Sequence, residues 1–253
     1  MQKCTLEELI NTVGPAWPLV QEWIATARNT GEVLPADRRR GENVLHYLQV
    51  TTHSPSGAVA LETGDMLIDH GWLRYLVSGH EHMRGNLFSW NTSGAILESH
   101  LLKDACLVAY DAIADFLALN GGTFAGELGK AFYFAPDNLR WKNTHLSYSQ
   151  LLQWALDRDI ALFYQGMHWP DWESDISFSS GDRGISIFPL LCTEPEIPVS
   201  ERFRRAVPMY ELWHLHLDLA QQLVRLPNGA SGLCGQFFSC YRGESPTFER
   251  GGR

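Results

Sequence analysis

The sequence contains few cysteines, and none is spaced as in a redox or metal motif. The five cysteines are dispersed over 253 residues, their number is odd, and no CxxC motif occurs. This pattern argues against a disulfide-stabilised secreted fold and against a zinc ribbon. We therefore expect a cytoplasmic protein with reduced thiols. The cysteines are Cys4, Cys106, Cys192, Cys234 and Cys240.

Long apolar segments are also absent. No run approaches the roughly 18 apolar residues that span a bilayer. The first ten residues, MQKCTLEELI, lack the apolar core of a secretory signal peptide. We therefore expect no association with a membrane.

Basic residues are scarce relative to acidic ones. Lysine and arginine total 20 against 29 aspartates and glutamates, which gives a formal net charge of −9. A dedicated nucleic-acid binder needs a basic surface, so we expect no nucleic-acid partner. The cluster Arg38-Arg39-Arg40 is interpreted as a solvated helix face, with a phosphate site as the alternative. An acidic protein is suited to a basic protein partner through electrostatic steering.

Catalytic and cofactor motifs are missing as well. No GxSxG elbow and no phosphate-binding GxGxxG or GxxxxGK loop occurs. The pairs His80/His82 and His214/His216 have the HxH spacing, but the second pair lies on a predicted helix, where residues two apart point in different directions. Both pairs are interpreted as exposed histidines. We expect no metal and no cofactor.

Aromatic residues, in contrast, are abundant: nine Trp, twelve Phe and eight Tyr. A chain of this length buries enough surface to fold without disulfides or metals. Residues 1–226 are predicted to form a single α+β domain. Residues 227–253 are rich in glycine and serine and poor in apolar residues, so they are predicted to form a flexible C-terminal tail.

Residues 104–141 contain three short apolar runs, 105–110, 116–119 and 131–135, separated by turn-forming residues. Such runs are typical of strands in an antiparallel meander. Asn-Gly-Gly predicts a hairpin turn in which at least one glycine has a positive φ. The turn-forming residues that follow the three runs are Asp111, Asn120-Gly121-Gly122 and Pro136-Asp137-Asn138.

Other elements follow from periodicity and capping residues. Alternating apolar residues predict strands over 48–53, 58–62, 65–69, 72–77 and 185–191. Helices are predicted after Thr5 up to Gly14, from Pro18 to Gly31, over 36–47, from Ser147 to Asp157, over 159–166, and from Pro208 to Leu223. The fold class is therefore α+β: a mostly antiparallel, twisted sheet with helices packed on one side.

Four polar residues lie at or just after the ends of predicted strands and are candidates for chemistry. Asp69 and His70 place a carboxylate beside an imidazole, and Asp111 and Asp137 are predicted to lie near each other at one sheet edge. Together they suggest a hydrolase as one alternative. On a regular strand, however, neighbouring side chains point to opposite faces. The competing interpretation is that all four serve turns, and that Trp72 returns into the core.

The tryptophans between residues 141 and 172, including Trp141 and Trp169, allow a third interpretation. They would either line the groove of a small-ligand module or belong to the core, which is the usual place for large aromatics.

Several motifs resemble one bacterial family, the domain of unknown function 2625. The resemblance covers residues 6–223, and the chain departs from it at Ala114-Asp115, where the family usually has Gly-Gly. Arg74 and Asn120 lie within the matching motifs and join the candidate binding residues. The motifs are Gln49–Thr52, Ser54-Pro55-x-Gly57-Ala58, Ile68–Arg74, Phe116–Gly122, Tyr133–Asp137 with Leu139 and Trp141, and Val207-Pro208-x-x-Glu211.

This family looks related to the SUKH superfamily, whose α+β domains are often immunity proteins against bacterial toxins. The resemblance implies a SUKH-like fold and a non-enzymatic binding protein. Its specific form would be an immunity protein that neutralises a basic toxin by direct contact. The hydrolase and the small-ligand module remain the alternatives.

Overall fold

The structure is a computed structural model that describes residues 3–11, 13–83, 85–92, 102–177, 182–193 and 197–225. The predicted tail, residues 227–253, lies outside the described residues and stays a prediction. Within the described part of the chain, no helix is both long and apolar enough to cross a membrane.

Seven strands form the central sheet, and their order in the sheet is their order in the chain. All six pairings are antiparallel. The strands are β1 Gly31–Pro35, β2 Thr63–Ile68, β3 Leu73–Tyr75, β4 Ala105–Asp111, β5 Phe116–Asn120, β6 Lys130–Ala135 and β7 Arg140–Ser147. The predicted α+β class, the antiparallel sheet and the meander over β4–β6 are confirmed.

A second, two-stranded antiparallel sheet pairs β8 (Arg183–Phe188) with β9 (Phe203–Pro208). It joins the main sheet through the Ile185 N–H, which donates to the Ala112 carbonyl at 2.7 Å. Gly184 allows this approach and the close packing of Met209, because a Cβ there would lie 3.2 Å from the Ala112 carbonyl oxygen and 2.5 Å from the Met209 methyl.

Nine helices occur among the described residues, together with a 3-10 turn over Val199–Glu201. The predicted helix after Ser147 is confirmed, and its capping box pairs the Ser147 hydroxyl with Gln150. The helices are α1 Leu6–Leu9, α2 Trp17–Ala25, α3 Arg38–Leu48, α4 Pro55–Glu62, α5 Leu87–Thr92, α6 Tyr148–Asp157, α7 Ile160–Phe163, α8 Trp172–Ser177 and α9 Met209–Arg225.

Helices cover both faces of the sheet, so the helical layer extends beyond the one side that the sequence indicated. On one face, Tyr75 packs edge-on against Tyr148 of α6, with ring centroids 6.3 Å apart. The strand register aligns Tyr75 with Leu117. Phe116 therefore points to the other face, where it contacts Trp213 of α9 at 4.5 Å.

The strands predicted over 48–53 and 58–62 are wrong. The first range is the end of α3 and a loop, and the second lies within α4. The Ser54 hydroxyl accepts the Gly57 N–H and caps a helix that has proline in its first turn. Because α4 is buried on nearly every side, its apolar residues do not show the helical period of a surface helix.

The predicted hairpin turn at Asn120 is a nine-residue loop, residues 121–129. Gly122 has φ 137°, so the expected positive φ is confirmed. The loop is long because the Asn120 side chain organises it. Its amide donates to the carbonyls of Phe124, Gly126 and Glu127, and its oxygen accepts two backbone N–H groups.

Candidate functional site

Three turns meet at one end of the sheet, because alternate turns of an antiparallel meander lie at the same end. These turns, residues 69–72, 112–115 and 136–139, connect β2 to β3, β4 to β5, and β6 to β7. They bring the predicted residues Asp69, His70, Asp111 and Asp137 to this end. We call it the acidic end of the sheet.

The first turn has an unusual backbone. Asp69, His70 and Gly71 have φ values of 54°, 54° and 87°. For a residue with a Cβ, this left-handed region costs about 1–2 kcal/mol, although Asp and His enter it more often than most. Thr30 holds the turn: its carbonyl accepts the Asp69 N–H at 2.8 Å, and its hydroxyl accepts the His70 N–H at 3.3 Å.

The Asp69–His70 dyad that the hydrolase alternative requires is not assembled. Among the described groups, none donates a hydrogen bond to the buried Oδ2 of Asp69. Burial raises the pKa of this carboxyl, the nearby imidazole opposes the rise, and Glu173 adds to it. The His70 ring turns instead toward α8, where its Nε2 lies 4.0 Å from a Glu173 carboxylate oxygen. A general base oriented by a carboxylate is therefore not present here.

A groove of about 560 Å³ opens beside this turn, between β1, β2 and α8. It carries two carboxylates, one imidazole and three hydroxyls, with Leu67 as its apolar contact. We call it the acidic groove, and it is lined by Thr30, Gly31, Glu32, Leu67, His70, Gly71, Glu173, Ser174 and Ser177.

Apart from the His70 imidazole beside Glu173, the carboxylates of the acidic groove have no cationic partner among the described residues. Among the described residues, no lysine or arginine forms an ion pair with Glu32 or Glu173. The groove can therefore attract a cationic group, with hydroxyls and the exposed backbone of Gly31 available for hydrogen bonds.

Trp72 lies behind the turn in the core, as expected. Its side chain is fully buried, and its ring lies 4.3 Å from His168, 5.2 Å from Trp172 and 5.4 Å from Tyr164. His168 stacks on Trp172 at 4.2 Å. Burial lowers the pKa of His168 to about 4, so the cluster is neutral at pH 7. These aromatic residues pack behind the turn, and none of them lines the acidic groove.

Trp169 belongs to the same buried cluster, with its centroid 5.7 Å from that of Trp72. The Trp169 Nε1 donates to Asp175 at 2.7 Å, and the Arg204 guanidinium lies over its ring at 5.2 Å. These contacts favour a structural role for Trp169 over that of a groove-lining ligand contact.

Arg74 supports the first turn from β3. Its side chain is buried, and its Nε donates to the Gly71 carbonyl at 3.3 Å. The buried carboxylate of Asp65 lies close enough for the Arg74 charge to lower its pKa against the larger effect of burial.

Asp111 organises the second turn. Its carboxylate is fully buried and accepts the N–H groups of Ile113 at 3.0 Å and of Asp115 at 2.8 Å. The Tyr164 hydroxyl bonds the same carboxyl, and burial followed by this negative charge raises the pKa of Tyr164. These contacts indicate that Asp111 holds the turn, an arrangement common for Asp.

Asp115, which sequence reasoning did not select, links the second and third turns. The Tyr133 hydroxyl donates to its Oδ2. Its charge is the second cause, after burial, that raises the pKa of Asp137 to about 7, and Lys142 opposes this shift. The preceding Ala114 has φ 69°, a conformation that glycine adopts more readily. The departure Ala114-Asp115 thus introduces a buried carboxylate bonded to a tyrosine.

Two predicted residues lie away from the acidic groove. Asn120 is at the opposite end of the sheet, where it organises the loop described above. Trp141 packs against Phe124 and Phe134, with centroids 4.9 and 5.3 Å apart. Both have structural contacts that account for them.

The groove residues Thr30, Glu32 and Glu173 also escaped sequence reasoning. Glu173 follows the aromatic stretch MHWPDW, and no periodicity marks it as part of a site. The described residues contain no group of three or more His, Cys, Asp or Glu side chains that could hold a metal ion, so the structure adds no further ligand to either HxH pair.

Comparison with known proteins finds relatives whose function is not described. The profile of a family described as "Protein of unknown function DUF2625" matches residues 6–212. The chain is 34% identical over 220 residues to the putative uncharacterized protein YbfG of Escherichia coli strain K12, covering 87% of this chain and 99% of that protein.

A second relative, an uncharacterized protein of Haemophilus influenzae strain Rd, is 37% identical over 203 residues. That alignment covers 80% of this chain and 89% of the relative. No solved structure is significantly similar to the chain.

Proposed function

Since the chain belongs to the DUF2625 family of proteins of unknown function, we propose a role from its geometry: it is a non-enzymatic binding protein that holds a basic segment of a partner protein in the acidic groove. The observation that carries this proposal is the pair of carboxylates, Glu32 and Glu173, that face the groove without a lysine or arginine partner among the described residues.

The polar groups at the acidic end support binding over hydrolysis. Asp69 does not meet His70, and the carboxylate of Asp111 is occupied by the backbone of its own turn. A nucleophile–base pair within hydrogen-bond reach is what hydrolysis requires. The acidic groove instead offers fixed negative charge and hydroxyl groups, which suit recognition of a lysine or arginine side chain.

The charge of the whole chain supports the same proposal. A net charge of −9 attracts a basic partner over a distance of about 10 Å at ordinary ionic strength and speeds its association. Carboxylates at the contact then select the orientation of the complex.

We propose as the specific form of this role an immunity protein that neutralises a basic toxin in the cytoplasm. The resemblance to the SUKH superfamily and the acidic charge motivate this part of the proposal. The free thiols of Cys4 and Cys106 are compatible with a reducing compartment.

The proposal is tested by capture from native lysate with two baits of equal net charge. The test bait carries Glu32→Gln and Glu173→Gln. The control bait carries Glu7→Gln and Glu22→Gln, two exposed glutamates outside the groove. Proteins bound to wild type are identified by mass spectrometry, and their affinities are then measured with purified partner at low and high salt.

We expect a basic protein to bind wild type and the control bait alike, and to bind the groove variant about 2- to 30-fold more weakly, since each of the two lost exposed ion pairs contributes about 0.2–1 kcal/mol. Equal weakening by both baits would indicate general attraction only and would contradict the role of the groove. An immunity role further requires that the captured protein be toxic, and that co-expression of the wild type remove the toxicity.

A further inference from the structure

A second groove, of about 390 Å³, has the opposite charge to the first. It lies between α3, the N-terminal residues and α5, and Lys3, Arg40, Asn43, His46, Tyr47 and Phe88 contribute to its lining. We call it the basic groove. From this lining we propose that the protein binds a small phosphorylated aromatic ligand, of the mononucleotide class, in the basic groove.

The charges of the basic groove are unusual for a chain with net charge −9. Lys3 and Arg40 carry one positive charge each, His46 adds an imidazole, and no carboxylate contributes to the lining. Neither Lys3 nor Arg40 forms an ion pair with a described residue. An anion entering this groove would therefore meet uncompensated positive charge.

The arginines at the start of α3 point to different faces of the helix. Arg38 pairs with Glu42 at 3.0 Å and approaches Glu62 at 3.9 Å, so it partly neutralises both carboxylates. Arg40 lies on another face of the helix, in line with Asn43 and Tyr47 at i, i+3 and i+7. The sequence-based interpretation of a solvated helix face is therefore incomplete for Arg40.

An aromatic surface borders the positive charges. The rings of Tyr47 and Phe88 are 5.3 Å apart and perpendicular, and Phe88 is 45% exposed. A planar ring of a ligand can stack on the open face of Phe88. Arg40 and Lys3 can bind a phosphate through charge-assisted hydrogen bonds, and the exposed amide of Asn43 is available to polar ring edges.

The size and the surrounding charge set the ligand class. About 390 Å³ falls in the range of grooves that hold small organic ligands. A nucleic-acid strand would bring many phosphates onto a strongly acidic protein, which opposes binding. A ligand with one phosphate and one aromatic ring fits both the charge and the surface.

The test is calorimetric titration of the full chain with adenosine monophosphate, guanosine monophosphate, adenosine and inorganic phosphate at 50 mM salt. We expect at least one mononucleotide to bind at least tenfold more tightly than adenosine or inorganic phosphate, because only the nucleotides engage both the cations and the ring. Equal binding of inorganic phosphate, or no binding of either nucleotide at millimolar concentration, would overturn the proposal.

Three variants locate the site. Arg40→Gln should weaken nucleotide binding about tenfold or more, as expected for a lost charge-assisted hydrogen bond, and Phe88→Ala should do the same by removing the stacking surface. Arg39→Gln is the matched control, because it removes the same charge from the adjacent, exposed residue that does not line the groove. Equal weakening by Arg39→Gln and Arg40→Gln would refute the assignment, provided that thermal melting shows both variants folded.

Discussion

Asp65 offers a direct test of whether burial or the nearby positive charge of Arg74 has the larger effect on the pKa of a carboxyl inside the sheet. Its side chain is 1% exposed, its Oδ1 accepts the Val77 N–H at 3.0 Å, and no described group donates to its Oδ2. Burial raises the pKa of Asp65 to about 7, and the positive charge of Arg74 only partly opposes this shift. The informative substitution is Asp65→Asn, which keeps the shape and removes the titration.

The sign of the expected effect follows from the direction of the pKa shift. Folding raises the pKa of Asp65 from 3.8 to about 7, so between these values the folded chain keeps a proton that the unfolded chain has released. The resulting stabilisation is complete below pH 3.8 and is lost as the pH rises through about 7. One pKa unit corresponds to about 1.4 kcal/mol, so the two units from pH 5 to pH 7 amount to at most about 3 kcal/mol.

The assay is urea denaturation followed by tryptophan fluorescence at pH 5, 6, 7 and 7.5. The free energy of unfolding of Asp65→Asn, minus that of wild type, should increase by about 1–3 kcal/mol between pH 5 and 7.5. Asp157→Asn, an exposed carboxylate at the end of α6, is the control and should show a smaller change. A difference that stays flat, or that falls as the pH rises, would show that burial does not control the pKa of Asp65.

Three further substitutions test the packing of the fold, two at the acidic end and one in α4, each by urea denaturation at pH 7. Trp72→Ala should lower the free energy of unfolding by about 3–5 kcal/mol, because the buried ring has four aromatic neighbours; a loss below 1 kcal/mol would contradict this packing. Asp111→Ala should cost about 2–4 kcal/mol by leaving two buried N–H groups without their acceptor, whereas a neutral result would mean that water replaces the carboxylate. Gly57→Ala should cost more than about 2 kcal/mol, since its Cβ would lie 2.2 Å from the Thr51 carbonyl oxygen; a stabilised variant would rule out this close approach.

The parts of the fold that sequence reasoning predicted are those with local signals. The strands β4, β5 and β6 are apolar runs bounded by turn residues, and α6 begins with a capping box at Ser147. The edge strand β7 was missed because its sequence, RWKNTHLS, is polar and half exposed, so it lacks the apolar alternation of a core-facing strand. Strand β9 was missed for the same reason, because its two arginines interrupt the apolar alternation.

Only the turn residues of the candidate site were predictable from the sequence. Asp69, His70, Asp111 and Asp137 follow strands, and alternation of the turns brings them to one end of the sheet. The packing of α8 against the first turn joins Glu173 to His70, about 100 residues apart. No local pattern encodes such a contact, because it depends on how the layers stack. The opposite charges of the two grooves could not be predicted for the same reason, because each groove is lined by residues that are distant in the sequence.

The strand order of the central sheet has a consequence for folding kinetics. Neighbours in the sheet are neighbours in the chain, and the links from β4 onward are short: residues 112–115, 121–129 and 136–139. The link between β3 and β4, residues 76–104, is 29 residues long. Its closure costs about 1.8 kcal/mol more in entropy than a four-residue link. Strands β4–β7 are therefore the expected folding nucleus, onto which β1–β3 dock later, and the acidic groove beside β1 and β2 would be among the last features to form.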